Sequence, residues 1–132
     1  MALQYSVAVN NGRLDSIETT IGTSPTLEIR TGAVPANCAA ASTGTVLATL
    51  ALPADWMNAA ASGVKTKLGT WQDASADATG NPAAHFRIFQ GATCHMQGTY
   101  GTSGTDMIGD SVSFTAGQSF TITAFSQTAA NT

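Results

Sequence analysis

Ala84-His85-Phe86-Arg87-Ile88-Phe89, then Gln90-Gly91-Ala92, then Thr93-Cys94-His95-Met96-Gln97-Gly98-Thr99-Tyr100 is the stretch that decides the fold. Its first six residues alternate, which is the period-two pattern of a strand. Phe86 and Ile88 fall on one face, and His85, Arg87 and Phe89 on the other. A short Gly-containing turn joins this run to a second extended run, so the pair reads as a β-hairpin.

Outward from the hairpin, the same period recurs. Thr26-Leu27-Glu28-Ile29-Arg30-Thr31 alternates and stops at Gly32. Thr45 to Leu52 is apolar enough to be a strand buried on both faces, closed by Pro53. Val64 to Trp71 reads as one strand anchored by Leu68 and Trp71. Short strands are also expected at Asp106–Ile108 and around Val112 and Phe114. Ser119 to Phe125 alternates cleanly as the last strand. Asp73 to Pro82 and Gly101 to Gly104 are polar turns, and Ala33 to Gly44 reads as a long loop. Pro53-Ala54-Asp55-Trp56-Met57 resembles the first turn of a short helix running into Ala59-Ala60-Ala61.

Only the beginning of the chain has a convincing helical period. Leu14, Ile17 and Ile21 recur at spacings of three and four, and Gly22 supplies a C-terminal stop. The start is open between Ser6 and Asn10–Asn11, because Val7 and Val9 read equally as a short strand or an extended arm. Seven or eight strands after one helix, without alternating helices, argue against a parallel α/β fold. The expectation is a mainly β chain: an antiparallel β-sandwich, jelly-roll-like, with one N-terminal α-helix. It is one domain over residues 1–132, with an arm and helix over 1–24, a β body over 25–128 and a frayed tail over 129–132.

Composition bounds the chemistry. The chain has 132 residues, 43% hydrophobic, enough for one core. Charged residues are only 10%, against roughly 25% in an average domain, and the net charge is −3. Thr, Ser, Gly, Ala and Asn cover the surface instead. Such a surface is cheap to desolvate and suits a protein that lives in an assembly. The five basic residues, Arg13, Arg30, Lys65, Lys67 and Arg87, form no stripe, so no direct nucleic-acid binding is expected. No window approaches a membrane helix, and the start lacks the pattern of a secretory signal, so no membrane association is expected. Cys38 and Cys94 are read as reduced, buried thiols, with a cross-fold pair as the alternative.

Motifs of catalysis and ligation are sought one class at a time. His85 and His95 would face each other across a short hairpin turn, but Cys94 and His95 point to opposite faces, so no metal site is expected. Asp73 with Asp77, and Asp106 with Asp110, sit in Gly- and Ser-rich loops and read as turn-forming carboxylates rather than an acid/base pair. Gly101-Thr102-Ser103-Gly104 is a turn, not a nucleophile elbow. Trp56 and Trp71 read as core or subunit-contact anchors, with a carbohydrate platform as the alternative. No catalytic, cofactor-binding or metal residue is assigned, no cofactor is expected, and the chain is not read as an enzyme.

Leu14 to Pro25, Leu47 to Pro53, Ala84 to Phe89, Thr93 to Thr99 and Gly117 to Thr123 resemble segments of small structural proteins of tailed bacteriophages. The resemblance covers most of the chain and is most similar to capsid cement, or decoration, proteins. It implies a virion protein on the capsid surface, made in the bacterial host cytoplasm. Its partners would be the major capsid protein and itself, as a homodimer or homotrimer. The alternative is a tail or fibre component, with glycan contacts expected through Trp56 or Trp71. Ala2 to Gly12 and Ala33 to Gly44 are the expected contact segments.

Overall fold

A capped helix precedes the strands. The computed structural model describes residues 3–129. Helix α1 spans Val7–Ile21, and Ser6 is its N-cap, accepting from the Val9 N–H at 3.2 Å. The Ser6 hydroxyl supplies one of the acceptors that a first helical turn lacks. Val7 and Val9 are therefore helical, which resolves the two readings of that segment. Gly22, at φ 93°, ends the helix and returns its N–H to the Glu18 carbonyl. Leu14 and Ile21 are buried and Ile17 half-buried, the face that the spacing predicts.

Eight strands follow among the described residues: β1 (Thr26–Thr31), β2 (Val46–Ala51), β3 (Val64–Thr66), β4 (Trp71–Asp73), β5 (Ala83–Gln90), β6 (Thr93–Gly101), β7 (Met107–Gly109) and β8 (Phe120–Thr128). They form one hydrogen-bonded sheet in the order β2-β1-β5-β6-β7-β8-β3, with β4 also on β8. The chain is thus mainly β with one N-terminal helix. Pairing is antiparallel except between β6 and β7, where Tyr100 and Gly101 run parallel to Met107 and Ile108. That makes the sheet mixed. The sheet curls until its ends meet. The Asp73 carboxylate accepts the Thr49 N–H at 3.2 Å, and the Asp77 N–H donates to the Leu47 carbonyl at 2.8 Å. A curl of this kind is compatible with a sandwich, but seven of the strands lie on one continuous pairing path and β4 branches from it at β8.

Inside the curl runs a chain of aromatic rings. Trp56 and Trp71 are 6.0 Å apart, Trp71 and Phe125 5.6 Å, and Phe125 and Phe86 5.6 Å. Leu27, Ile29, Leu47 and Ile88 pack around them with no exposed surface. These contacts supply the dominant, non-directional part of the stability.

Several expectations change. No helix forms after Pro53, because other partners take the backbone donors there. Met57 N–H binds the Glu18 carboxylate, Ala60 N–H binds Asp15 and Gly63 N–H binds Asn11. Val64 to Trp71 is two strands rather than one, separated by residues 67–70, with Gly69 at φ 77° in the break. Both halves pair with β8 in succession. β2 exposes Thr49 and Ala51, so it is not buried on both faces. Phe114 makes only a single bridge to Gly80, not a strand. Ala129 is bonded to the Gly63 carbonyl, while the rest of the expected tail, and Ala2, lie outside the described residues.

Candidate functional site

Two covers lie against the β body, and each is held by a buried cation. The first is α1 on the segment between β2 and β3. Asn11, Asp15 and Glu18 descend one helix face at spacings of four and three, so they can address one neighbouring segment together. Their side-chain oxygens accept the N–H groups of Gly63, Ala60 and Met57. Lys65, 1% exposed, sits behind them and donates to Asp15 at 2.8 Å, to Glu18 at 3.0 Å and to the Asn58 carbonyl at 2.8 Å. Burial alone would lower the ammonium's pKa, but its bonds to Asp15 and Glu18 outweigh that and hold it above the ordinary lysine value. The bond from Lys65, then the Ala60 N–H, hold Asp15 below the usual carboxylate range. The Gln90 amide and the Trp56 indole N–H bind the Ile21 and Gly22 carbonyls and fix the helix's far end.

The second cover is the Ala33 to Gly44 loop, lying over the outer face of the β5–β6 hairpin. Arg87, 1% exposed, donates to the Ser42 hydroxyl at 2.6 Å and to the Cys38 and Ala40 carbonyls at 2.9 and 3.1 Å. Gln97 donates to the Pro35 carbonyl and His85 Nδ1 to the Gly32 carbonyl. Cys38 and Cys94 are disulfide-bonded, with Cα atoms 5.2 Å apart. The expectation of reduced thiols is therefore corrected: the loop brings Cys38 onto β6 at ordinary disulfide spacing. Burial, then the nearby Arg30 and Arg87, push the His85 pKa below its usual value, against the Gly32 carbonyl.

Each remaining candidate has a defined place. His85 pairs with Thr99, not with His95, because the turn sets Gln90 opposite Thr93 and a bulge falls at His95. The imidazoles therefore do not meet. Asp73 and Asp77 converge on Thr49, one on its N–H and one on its hydroxyl. Asp106 accepts the Thr99 N–H and hydroxyl, and Asp110 accepts the Thr121 N–H. Asp77, Asp106 and Asp110 thus each tie a loop to a strand, and Asp73 ties β4 to β2. Trp56 and Trp71 are fully buried, so neither offers a face to a sugar. Tyr100 donates to the Ser111 carbonyl, and burial, then Asp110, raise its pKa well above the ordinary phenol value.

Sequence reasoning missed both buried cations. The available signals were Asp15 and Glu18 at helical spacing and Lys65 between Val64 and Thr66. For Arg87 it was alternation with Phe86 and Ile88. Among the described residues no group of three or more His, Cys, Asp or Glu side chains gathers as a metal site, and no helix is long and apolar enough to cross a membrane. The surface concavities are open grooves. One of about 500 Å3 lies beside Glu18, Gly22 and Asp55, and another of about 470 Å3 lies between α1, β6 and β8. Comparison with protein-family models, with curated proteins and with solved structures gives no match.

Proposed function

We propose that this chain is a virion structural protein that binds the outside of a phage capsid and ties major capsid subunits together. The carrying observation is where polarity and apolarity have gone. Two of the five basic residues, Lys65 and Arg87, are used inside the fold, which leaves an already charge-poor exterior poorer still. Meanwhile Leu3, Tyr5, Val7 and Val9 stand exposed together at the N-terminal end, Leu3 at 74%. A neutral surface with one apolar projection favours contact with another protein over solvation alone.

The two tied covers support the same reading. A part that must keep its shape under load gains from a helix and a loop fixed at both ends. Many such contacts, repeated over a shell, add through avidity. The Cys38–Cys94 bond suits a particle released into an oxidising medium. The likeness to phage cement proteins supplies the identity of the shell. Of the two segments expected to make contacts, Ala33 to Gly44 has much of its polarity turned inward, so the N-terminal segment carries the proposal.

Quantitative mass spectrometry of purified particles tests it. The expected result is a copy number comparable with that of the major capsid protein. A handful of copies per particle assigns the chain to the tail or a fibre and overturns the capsid reading.

A further inference from the structure

Residues 33–44 connect β1 to β2 and hold much of their own shape. At the base the Thr31 N–H donates to the Thr45 carbonyl. Within the loop the Thr43 hydroxyl donates to the Ala33 carbonyl, and the Ala40 N–H closes a turn on Asn37. Glycines in the left-handed region stand at the two ends, Gly32 at φ 82° and Gly44 at φ 72°. Little apolar surface seats the loop, for Pro35 alone among residues 33–44 is buried. Among the described residues no backbone-to-backbone hydrogen bond joins it to the β5–β6 hairpin. Side chains of Arg87, Gln97 and Arg30 reach its carbonyls instead, His85 holds the Gly32 carbonyl, and Cys38–Cys94 is its covalent tie. A segment with few apolar contacts belongs to the part of a fold that opens most easily.

The closed position also leaves polar atoms without partners. Arg87 Nε, His85 Nε2 and Gln97 Oε1, all on residues that hold the loop down, are buried and bond nothing. A buried unpaired group carries a desolvation cost that contact with water would relieve. Opening would relieve all three, so closure depends on the covalent tie. That tie is within reach of a reagent, since Cys38 and Cys94 are each partly exposed. Cys94 Sγ also lies 3.6 Å from the Met96 carbonyl oxygen, an acceptor for the thiol proton of the reduced form. We propose that residues 33–44 are a redox-released strap, closed while Cys38 and Cys94 are bonded and, on reduction, swinging out on Gly32 and Gly44 to uncover His85, Arg87 and Gln97. The reductant is a dithiol. Its thiolate attacks one cysteine sulfur, the Cys38–Cys94 bond breaks, and a mixed disulfide forms while the other cysteine leaves as a thiol. The second thiol of the reagent then closes its own disulfide and frees the remaining cysteine. Two electrons and two protons have passed from the dithiol to the cysteines, and a small-molecule disulfide reverses the exchange.

The strap does not rest on the capsid reading, because it is tested on the isolated chain and its failure leaves that reading standing. Arg87 is 1% exposed in the closed form, so its reactivity reports the strap. The oxidised full chain is compared with the chain reduced by dithiothreitol and then freed of the reagent. Phenylglyoxal modification of Arg87, located by peptide mass, should quicken about tenfold or more on reduction. Hydrogen exchange of the β5 and β6 amides should stay as slow as in the oxidised chain. Reoxidation with glutathione disulfide should restore the slow modification. Arg87 reacting equally slowly in both forms overturns the proposal. So does loss of β5 and β6 protection together with the gain at Arg87, which would mean unfolding rather than release of a strap.

Discussion

Lys65 and Arg87 are equally hidden from water, yet their surroundings differ. Lys65 meets two carboxylates and a carbonyl; Arg87 meets a hydroxyl and backbone carbonyls, with its Nε unpartnered. The residue types account for the division. An ammonium is a compact, strongly hydrated charge that needs opposite charge once it is buried. A guanidinium is more weakly hydrated and spreads its donors, so it can be carried by dipoles that a folded loop aims inward. The helix cover is thus held by charge that its own residues bring. The loop cover depends on its backbone already being in shape, and Cys38–Cys94 sets that shape.

The largest effect should come from cutting that constraint. Replacing Cys38 and Cys94 by Ser opens a bridge spanning 56 residues, and chain entropy puts the loss at about 4 kcal/mol in denaturant unfolding. Hydrogen exchange should rise first over residues 33–44 and leave α1 unchanged. Equal loosening of both covers would break the distinction. Arg87→Met should follow at about 2–3 kcal/mol, because the carbonyls it served stay under the loop without donors.

Lys65→Met sharpens the comparison from the other side. The Asp15 and Glu18 side chains are 45% and 22% exposed, so they regain water once the cation is gone. The expected loss is about 1–2 kcal/mol in the same unfolding measurement, smaller than for Arg87→Met.

The smallest effects should be those of pH. The folded His85 has a lowered pKa, so its contribution is intact above pH 6.5 and is lost as pH falls through the folded value. Asp15, lowered from 3.8, acts in the same direction further into acid. Lys65, raised from 10.5, contributes fully below that pH and its share is lost as pH rises through the folded value. Melting temperature should therefore dip first in mild acid, with the loop loosening before the helix. His85→Asn, which retains a donor for the Gly32 carbonyl, should flatten that first slope.

Much of this architecture is legible in the residues. The β5–β6 hairpin, β1 and β8 follow from alternation, and α1 follows from Leu14, Ile17 and Ile21. The failures share a cause. Pro53 to Ala61 has helix-like composition, but Asn11, Asp15 and Glu18 capture its N–H groups from far away in sequence. Lys65 reads as a polar surface residue until those carboxylates arrive. Arg87 is placed on the right face, opposite Phe86 and Ile88, but that face is buried only because residues 33–44 fold across it. The cysteine pair depends on the same long-range packing.

Imaging the intact particle by electron cryo-microscopy tests the central claim most directly. The account predicts density for this curled sheet and its helix on the outer capsid surface, bridging neighbouring capsid subunits through the N-terminal segment. Density confined to the tail, or a capsid exterior without the chain, would contradict it.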